Sequence, residues 1–194
     1  MSKEIVTLHV GGAGVTIGDS FWKFQCEDNG VDLNSAFDKN KLPSGNEEVN
    51  VGSYFAESSD GKYKPRALFA DTSPNQIEHI KSFEMKNLFP ADSMVYSNTE
   101  ASLFAVGFYT EGKTITTDKG FMDKLRSEIE KCEMFQGIEV FSSLSGGTGS
   151  GLLSQILSQY KNEYNYPVFG LHISPDIDNS NSALDSYNTI LAIN

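Results

Sequence analysis

A chain of 194 residues that is 39% hydrophobic, 11% aromatic and 21% charged is long enough for one domain with a sizeable core and is neither disordered nor fibrous in composition. Lys plus Arg number 15 against 26 Asp plus Glu, a net charge of −11, which argues against a nucleic-acid backbone or an anionic membrane as the main partner. No stretch approaches the ~20 consecutive apolar residues of a membrane span, and Met1-Ser2-Lys3-Glu4 runs straight into a strand without a signal-peptide pattern. Cys26 and Cys132 lie far apart without metal-site spacing, as suits buried free thiols in a reducing compartment. A cytoplasmic location is the expectation.

Ile5 to Val10 is a β-branched, mostly apolar run that reads as a buried strand. Gly11-Gly12-Ala13-Gly14 follows at once, and Ile17, Phe21 and Phe24 then fall on one helix face, with Trp22 beside it. The dinucleotide fingerprint G-x-G-x-x-G fails, because Ile17 stands where the third glycine belongs. Residues 29–61 are rich in Gly, Asn, Asp and Ser and read as a long surface excursion with a short strand near Val49 to Val51. Ala67 to Asp71 is a strand ending in a carboxylate. Ser73 and Pro74 read as N-cap and first residue of a helix that buries Ile77 and Ile80.

Phe89 to Asn98 reads as irregular, and Leu103 to Tyr109 as a short helical turn ended by Gly107-Phe108-Tyr109. The clearest helix is Thr117 to Glu133, with Phe121, Leu125, Ile129 and Cys132 as its stripe. Ile138 to Phe141 is a strand, and Leu152, Leu153, Ile156, Leu157 and Tyr160 mark the next helix. Pro167 to Ile173 is a strand, Ser174 to Ser182 a polar loop, and Ala183 to Ile193 a final helix with Leu184, Tyr187 and Leu191 on one side. Strands alternating with helices predict an α/β fold, a parallel sheet with helices on both faces. His9, His79 and His172 show no nucleophile partner in sequence.

Between the strand at Ile138 and the helix from Leu152 lies Ser145-Gly146-Gly147-Thr148-Gly149-Ser150-Gly151. A glycine-packed turn there lets backbone N–H groups face an anion at the positive end of a helix dipole, and phosphate is the usual anion. It is not a Walker A loop, because no lysine follows the glycines. A plain strand-to-helix turn is the alternative, since helix N-termini favour Gly, Ser and Thr.

Ser-Gly-Gly-Thr-Gly-Ser-Gly resembles the tubulin family signature Gly-Gly-Gly-Thr-Gly-Ser-Gly, and the likeness extends along the chain. Glu4-Ile5-Val6 with Gly14 to Gly18 and Phe21-Trp22 resembles the family's amino terminus, and Pro65-Arg66-Ala67 with Asp71 its second strand. Gly107 to Gly112, Gln136-Gly137 and Tyr187-Asn188 match further stretches. The resemblance implies the tubulin-type, Rossmann-like GTPase fold, incomplete at the C-terminus, with residues 1–194 as the amino-terminal part of a nucleotide-binding domain and no second domain. It also implies GTP or GDP as ligand, tubulin-like subunits of a microtubule-type polymer as partners, and a cytoskeletal place in the cytoplasm. Gly146, Gly147, Thr148, Gly149 and Ser150 would cradle phosphates. Gly11, Gly12, Ala13, Thr16, Ser102 and Ser143 would lie around the nucleotide. Asp71 would act on Mg2+ through water, as that ion favours carboxylate plus waters, and Asp185 would hold the ribose.

Departures from the family pattern cluster at the nucleotide. Gly12 and Thr16 stand where tubulins carry glutamines, Ser73 replaces an acidic residue, Ser102 an asparagine and Ser145 the first glycine of the signature. Lost contacts of this kind cost ~0.5–1.5 kcal/mol each. Tubulins also continue past this length with the asparagines that recognise guanine and an acidic residue that activates water. The expectation is little or no GTP hydrolysis by this chain alone, and a sheet face left without cover. A second reading is a degenerate module that docks on tubulin without using nucleotide. Thr148→Val with Gly149→Val is expected to abolish binding with the fold intact.

Overall fold

The computed structural model describes residues 2–42, 50–82, 87–176 and 183–193. Strand β1 (Glu4–Val10) is buried along almost its whole length and passes directly into helix α1 (Gly11–Asn29). Of the expected Ile17, Phe21 and Phe24 stripe, Phe21 packs half-buried against Phe141 at 4.9 Å between ring centroids, whereas Phe24 is 61% exposed. The helix's inward face is Gly11, Gly14, Val15, Gly18, Trp22 and Cys26. A Cβ on Gly14 would lie 2.3 Å from the Phe141 carbonyl oxygen, and one on Gly18 2.9 Å from the His9 ring. The helix thus approaches the sheet through glycines, a contact that a search for large apolar residues does not register.

The excursion after α1 holds more order than expected. Val51–Ser53 forms a 3-10 turn where a strand was expected, and Val49 lies outside the described residues. Strands β2 (Phe55–Glu57) and β3 (Tyr63–Pro65) then pair antiparallel. Strand β4 (Ala67–Asp71) is fully buried, and helix α2 (Pro74–Ser82) buries Ile77 and Ile80 as expected. The segment read as irregular contains strand β5 (Met94–Tyr96).

Helical structure over residues 104–118 runs on through Gly107 to Tyr109. A short α3 (Glu111–Lys113) lies between π-helical segments Val106–Thr110 and Thr114–Asp118. Gly107 does not end the helix because it is a packing glycine: a Cβ there would meet the Gly147 carbonyl oxygen at 2.1 Å. Helix α4 (Phe121–Glu130) starts at Gly120, which takes a left-handed conformation, so Thr117 and Asp118 belong to the preceding segment. Strand β6 (Phe135–Ser143) begins three residues before the apolar run that announced it. A π-helical turn (Thr148–Leu152) leads into α5 (Leu153–Glu163), then strand β7 (Val168–Ile173) and helix α6 (Ala183–Ile193).

The five strands of the main sheet run parallel in the order β5-β4-β1-β6-β7. One core packs α4, α5 and Ile115 against Val6, Leu8, Leu68, Ile138 and Val140. The other packs Val15 and Trp22 of α1 and Ile77 and Ile80 of α2 against Ala67 and Phe69, with the hairpin residue Phe55. The sheet is therefore covered on both faces over its centre, as parallel sheets are. Cover fails at the β7 edge, where Phe169, Leu171 and Ile173 and the α6 residues Leu184, Tyr187, Ile190 and Leu191 are exposed.

At the amino ends of the strands, Arg66 pairs with Glu4, whose other oxygen accepts the Met134 N–H at 2.7 Å. Both side chains are buried. This ties β1, β4 and β6 together at the end opposite the cleft described next.

Candidate functional site

From β1 the chain moves outward to β4 and β5, then returns across the sheet to β6 and β7. The order reverses between β1 and β6, and open α/β sheets bind ligands outside the carboxyl ends of the strands at such a reversal. A cleft of about 420 Å³ opens there. Its floor is Gly11, Gly12 and Ala13 after β1 and Ser143, Ser145, Gly146, Gly147, Thr148 and Gly149 after β6. Asp71, Ser73, Gln76, Glu100, Ala101 and Ser102 wall the β4 side, and Leu184 and Asp185 stand on the β7 side. Of the thirteen site residues expected from sequence, eleven line this cleft.

The other two do not. Thr16 is exposed on α1 and donates its hydroxyl to the Gly12 carbonyl at 2.8 Å. Ser150 is 1% exposed and donates to the Gly146 carbonyl at 2.7 Å, so it braces the turn from behind.

Two helix N-termini meet in the floor. Neither α1 nor the Thr148–Leu152 turn has a side-chain cap, and neither has an acidic residue in its first turn. The first backbone N–H groups of a helix have no intrahelical acceptor, and without a cap they are left to a ligand. Around the β6 turn the first helical bond is Ser150 N–H to Gly146 O, at 2.9 Å. The N–H groups of Gly146, Gly147, Thr148 and Gly149 come before or beside that bond.

The helix thus starts inside the glycine motif instead of at Leu152. The alternating glycines serve packing: a Cβ on Gly147 would lie 2.5 Å from the Ser102 carbonyl carbon, and one on Gly149 2.4 Å from the Ser143 carbonyl oxygen. Gly11 has φ +76, and a Cβ on it would lie 3.1 Å from Gly149 N, so the β1 and β6 turns pack closely. Gly146 alone among them has open space where a side chain would stand. The expectation that Gly149→Val spares the fold is therefore wrong, since valine has nowhere to go.

Threonines lock the walls to the floor. Thr72 Oγ1 accepts the Ala101 N–H at 3.1 Å and contacts Thr148 Oγ1, which in turn donates to the Ala101 carbonyl at 3.4 Å. The long last bond leaves the Thr148 hydroxyl ready to turn to an anion in the cleft. Asn188, fully buried on α6, donates to the carbonyls of Ser102 and Ser145 and accepts from Phe104 N–H. The sequence reading matched Asn188 to the family without seeing this bracket, and it passed over Thr72, Gln76 and Glu100. Gln76 follows Ser73 by three residues, a capping-box spacing that points to the helix start and not to the cleft.

Asp71 is 2% exposed. One carboxylate oxygen accepts the Ser73 N–H at 2.7 Å, and the other is buried with no partner among the described residues. Burial pushes its pKa up to about 6, against the Ser73 and Thr72 N–H bonds and with help from Glu100. An orphaned carboxylate oxygen facing a phosphate-sized cleft fits a hydrated divalent cation. Among the described residues no Lys or Arg lines the cleft, while Asp71, Glu100 and Asp185 do. A bound phosphate chain would therefore rely on backbone donors and a cation. No cluster of three metal-ligating side chains occurs among the described residues, which suits an ion held by one or two carboxylates plus water.

Away from the cleft, Ser142 Oγ lies 2.9 Å from His172 Nδ1, a pairing the sequence did not reveal. Ser142 is fully buried and neither residue lines the cleft, so the pair meets no substrate there.

The family model "Tubulin/FtsZ family, GTPase domain" matches residues 4–194. The chain belongs to the Tubulin/FtsZ family. It is 33% identical over 196 residues to the tubulin beta chain of Candida albicans, covering 98% of this chain and 42% of that protein. It is 32% identical over 201 residues to the tubulin alpha chain of Dictyostelium discoideum, covering 99% and 43%. It is 34% identical over 195 residues to the tubulin beta chain of Enteroctopus dofleini, covering 98% and 42%. Alpha and beta chains thus match equally well, and this tubulin-like chain spans somewhat over two fifths of their length. No described helix is long and apolar enough to cross a membrane.

Proposed function

We propose that the cleft binds GTP or GDP and that the protein takes part in a microtubule-type polymer with tubulin-like subunits, in the cytoplasmic cytoskeleton. The observation that carries the nucleotide reading is the convergence of two uncapped helix N-termini at the reversal point of a parallel sheet, in a chain of a family described by its GTPase domain. Backbone N–H groups of Gly146 to Gly149 and of Gly11 to Ala13 receive the phosphates, with the Thr148 hydroxyl as an added donor. Ser102 and Ser143 border the phosphates, and Ser150 holds the turn in shape. Asp185 lies on the α6 side, where a ribose hydroxyl would donate to it. Asp71 holds Mg2+ through water, and that ion supplies neutralisation of phosphate charge. Thr16 contributes only by stiffening the first turn of α1.

Acid extraction of the purified protein, followed by ion exchange of the supernatant, tests this reading. Stoichiometric GTP or GDP is expected. A folded protein with an empty extract contradicts the reading and favours a module that docks on tubulin without nucleotide.

A further inference from the structure

We propose that Gln76 is a specificity-determining residue of the cleft, its carboxamide being the side-chain donor that meets the terminal phosphate of a nucleoside triphosphate. The inference rests on the nucleotide reading above. Ser73-Pro74-Asn75-Gln76 has the spacing of a capping box, in which the fourth residue's side chain reaches back to the N-cap N–H. Here that N–H is already taken, because Ser73 N–H donates to Asp71 Oδ1 at 2.7 Å. The Ser73 hydroxyl accepts instead from Asn75 N–H at 3.3 Å. The Gln76 carboxamide is thereby released from its ordinary local partner, and among the described residues no hydrogen bond takes it up.

The released group points somewhere definite. A Cβ built on Gly12 would lie 3.1 Å from the Gln76 carboxamide carbon and 3.3 Å from both its nitrogen and its oxygen, and would meet nothing nearer. The glutamine therefore occupies the space that a side chain on the second residue of α1 would fill, beside the uncapped N-terminus of that helix. It stands on the β4 wall with Asp71, across the β1 and β6 turns from Asp185. A nucleotide whose sugar lies towards Asp185 and whose phosphates follow the floor presents its last phosphate to Asp71 and Gln76. A carboxamide suits that place, because it donates to phosphate oxygen without adding a charge beside Asp71 and Glu100. On that path the γ-phosphate is the last group of the chain, so the carboxamide is placed to favour triphosphate over diphosphate.

Equilibrium binding of GTP and of GDP, each with Mg2+, to the wild-type protein, Gln76→Ala, Gly12→Ala and the double variant, each first stripped of copurified nucleotide, tests the proposal. Gln76→Ala is expected to weaken GTP about tenfold or more and GDP less than about threefold, as for one hydrogen bond to a charged group. Gly12→Ala is expected to weaken GTP as well, because its methyl displaces the carboxamide, and to add nothing in the double variant. Unchanged GTP affinity in Gln76→Ala overturns the proposal, and so does an equal loss for both nucleotides. Both substitutions raise helix propensity, so a lost fold does not confuse the result. Wild-type protein that binds neither nucleotide overturns the nucleotide reading itself, a failure seen without any variant.

Discussion

Gly146 and Gly149 sit in one turn and differ in what a side chain would meet. At Gly149 it would run into the Ser143 backbone at 2.4 Å; at Gly146 it would meet nothing within 4 Å. Gly149→Val is expected to destabilise the protein by at least about 3 kcal/mol, the upper range for overpacking. Gly146→Asp is expected to change stability by less than about 0.5 kcal/mol, as for an exposed site. Urea unfolding of the two variants checks this, and equal losses would contradict the packing account. The sequence displayed the glycines but not their reasons. Spacing of G-x-G-x-G read as ligand contact, whereas Gly147 and Gly149 answer first to neighbouring backbone. In the same way Gln76 was invisible as a cleft residue, because its displacement depends on a bond between Ser73 and Asp71 that no local pattern encodes.

Strand β1 and its partners show what periodicity can and cannot reveal. Apolar runs announced β1, β4, β6 and β7, though β7 is largely exposed, and the stripes of α4 and α5 were read correctly. Strands of three residues, β2, β3 and β5, were missed because so short a run carries no period. The face assigned to helix α1 held for Phe21 but not for Phe24, and the closest approaches to the sheet, made by Gly14 and Gly18, were missed.

The centre of this packing is His9, fully buried between Phe69 of β4 and Phe141 of β6 with ring centroids 4.8 and 4.9 Å away. Trp22 Nε1–H donates to its Nε2 at 3.1 Å, which leaves Nδ1 to donate to the Gly14 carbonyl. Burial lowers its pKa from 6.5 to about 3, despite the Gly14 bond. The unfolded chain therefore binds a proton that the folded chain refuses, and stability present in full above about pH 6.5 is lost as pH falls towards 3. Asp71, with its raised pKa, acts in the opposite sense between 3.8 and about 6, so the wild type alone masks the effect. In comparison with His9→Gln, Asp71 cancels. The stability advantage of wild type over that variant is expected to shrink by about 3 kcal/mol between pH 7.5 and pH 4.5, at about 1.4 kcal/mol per pH unit below 6.5. A pH-independent difference in urea unfolding would contradict the assignment of His9 as a buried neutral ring.

For the molecule as a whole, the class of fold was legible from the alternation of strands and helices, and its family from the motif at Ser145 to Gly151 together with matches along the chain. A sheet face left without cover was expected; both faces are covered over the centre, and the exposed apolar surface lies at the β7 edge. Phe169 is 62%, Ile190 60% and Ile193 71% exposed, on a strand and a helix beside each other in sequence. An exposed apolar sheet edge is adhesive. Wild-type protein is expected to self-associate at micromolar concentration in sedimentation velocity, and Phe169→Lys to reduce that association without loss of fold. A wild type that stays monomeric would show the edge to be inert.

What spacing alone could not give was the assembly of the cleft from segments after five different strands, since β5, β4, β1, β6 and β7 are neighbours only through the sheet order. That assembly is the central claim, and one titration addresses it most directly. Calorimetric titration of GTP with Mg2+ into wild-type protein and into Gly146→Asp, each first stripped of copurified nucleotide, is predicted to show one nucleotide per wild-type chain. In the variant, whose added carboxylate stands in the open space of the turn, binding is predicted to be lost at an unchanged thermal midpoint. Wild-type affinity in a folded Gly146→Asp would place the nucleotide, and the function built on it, somewhere other than this turn.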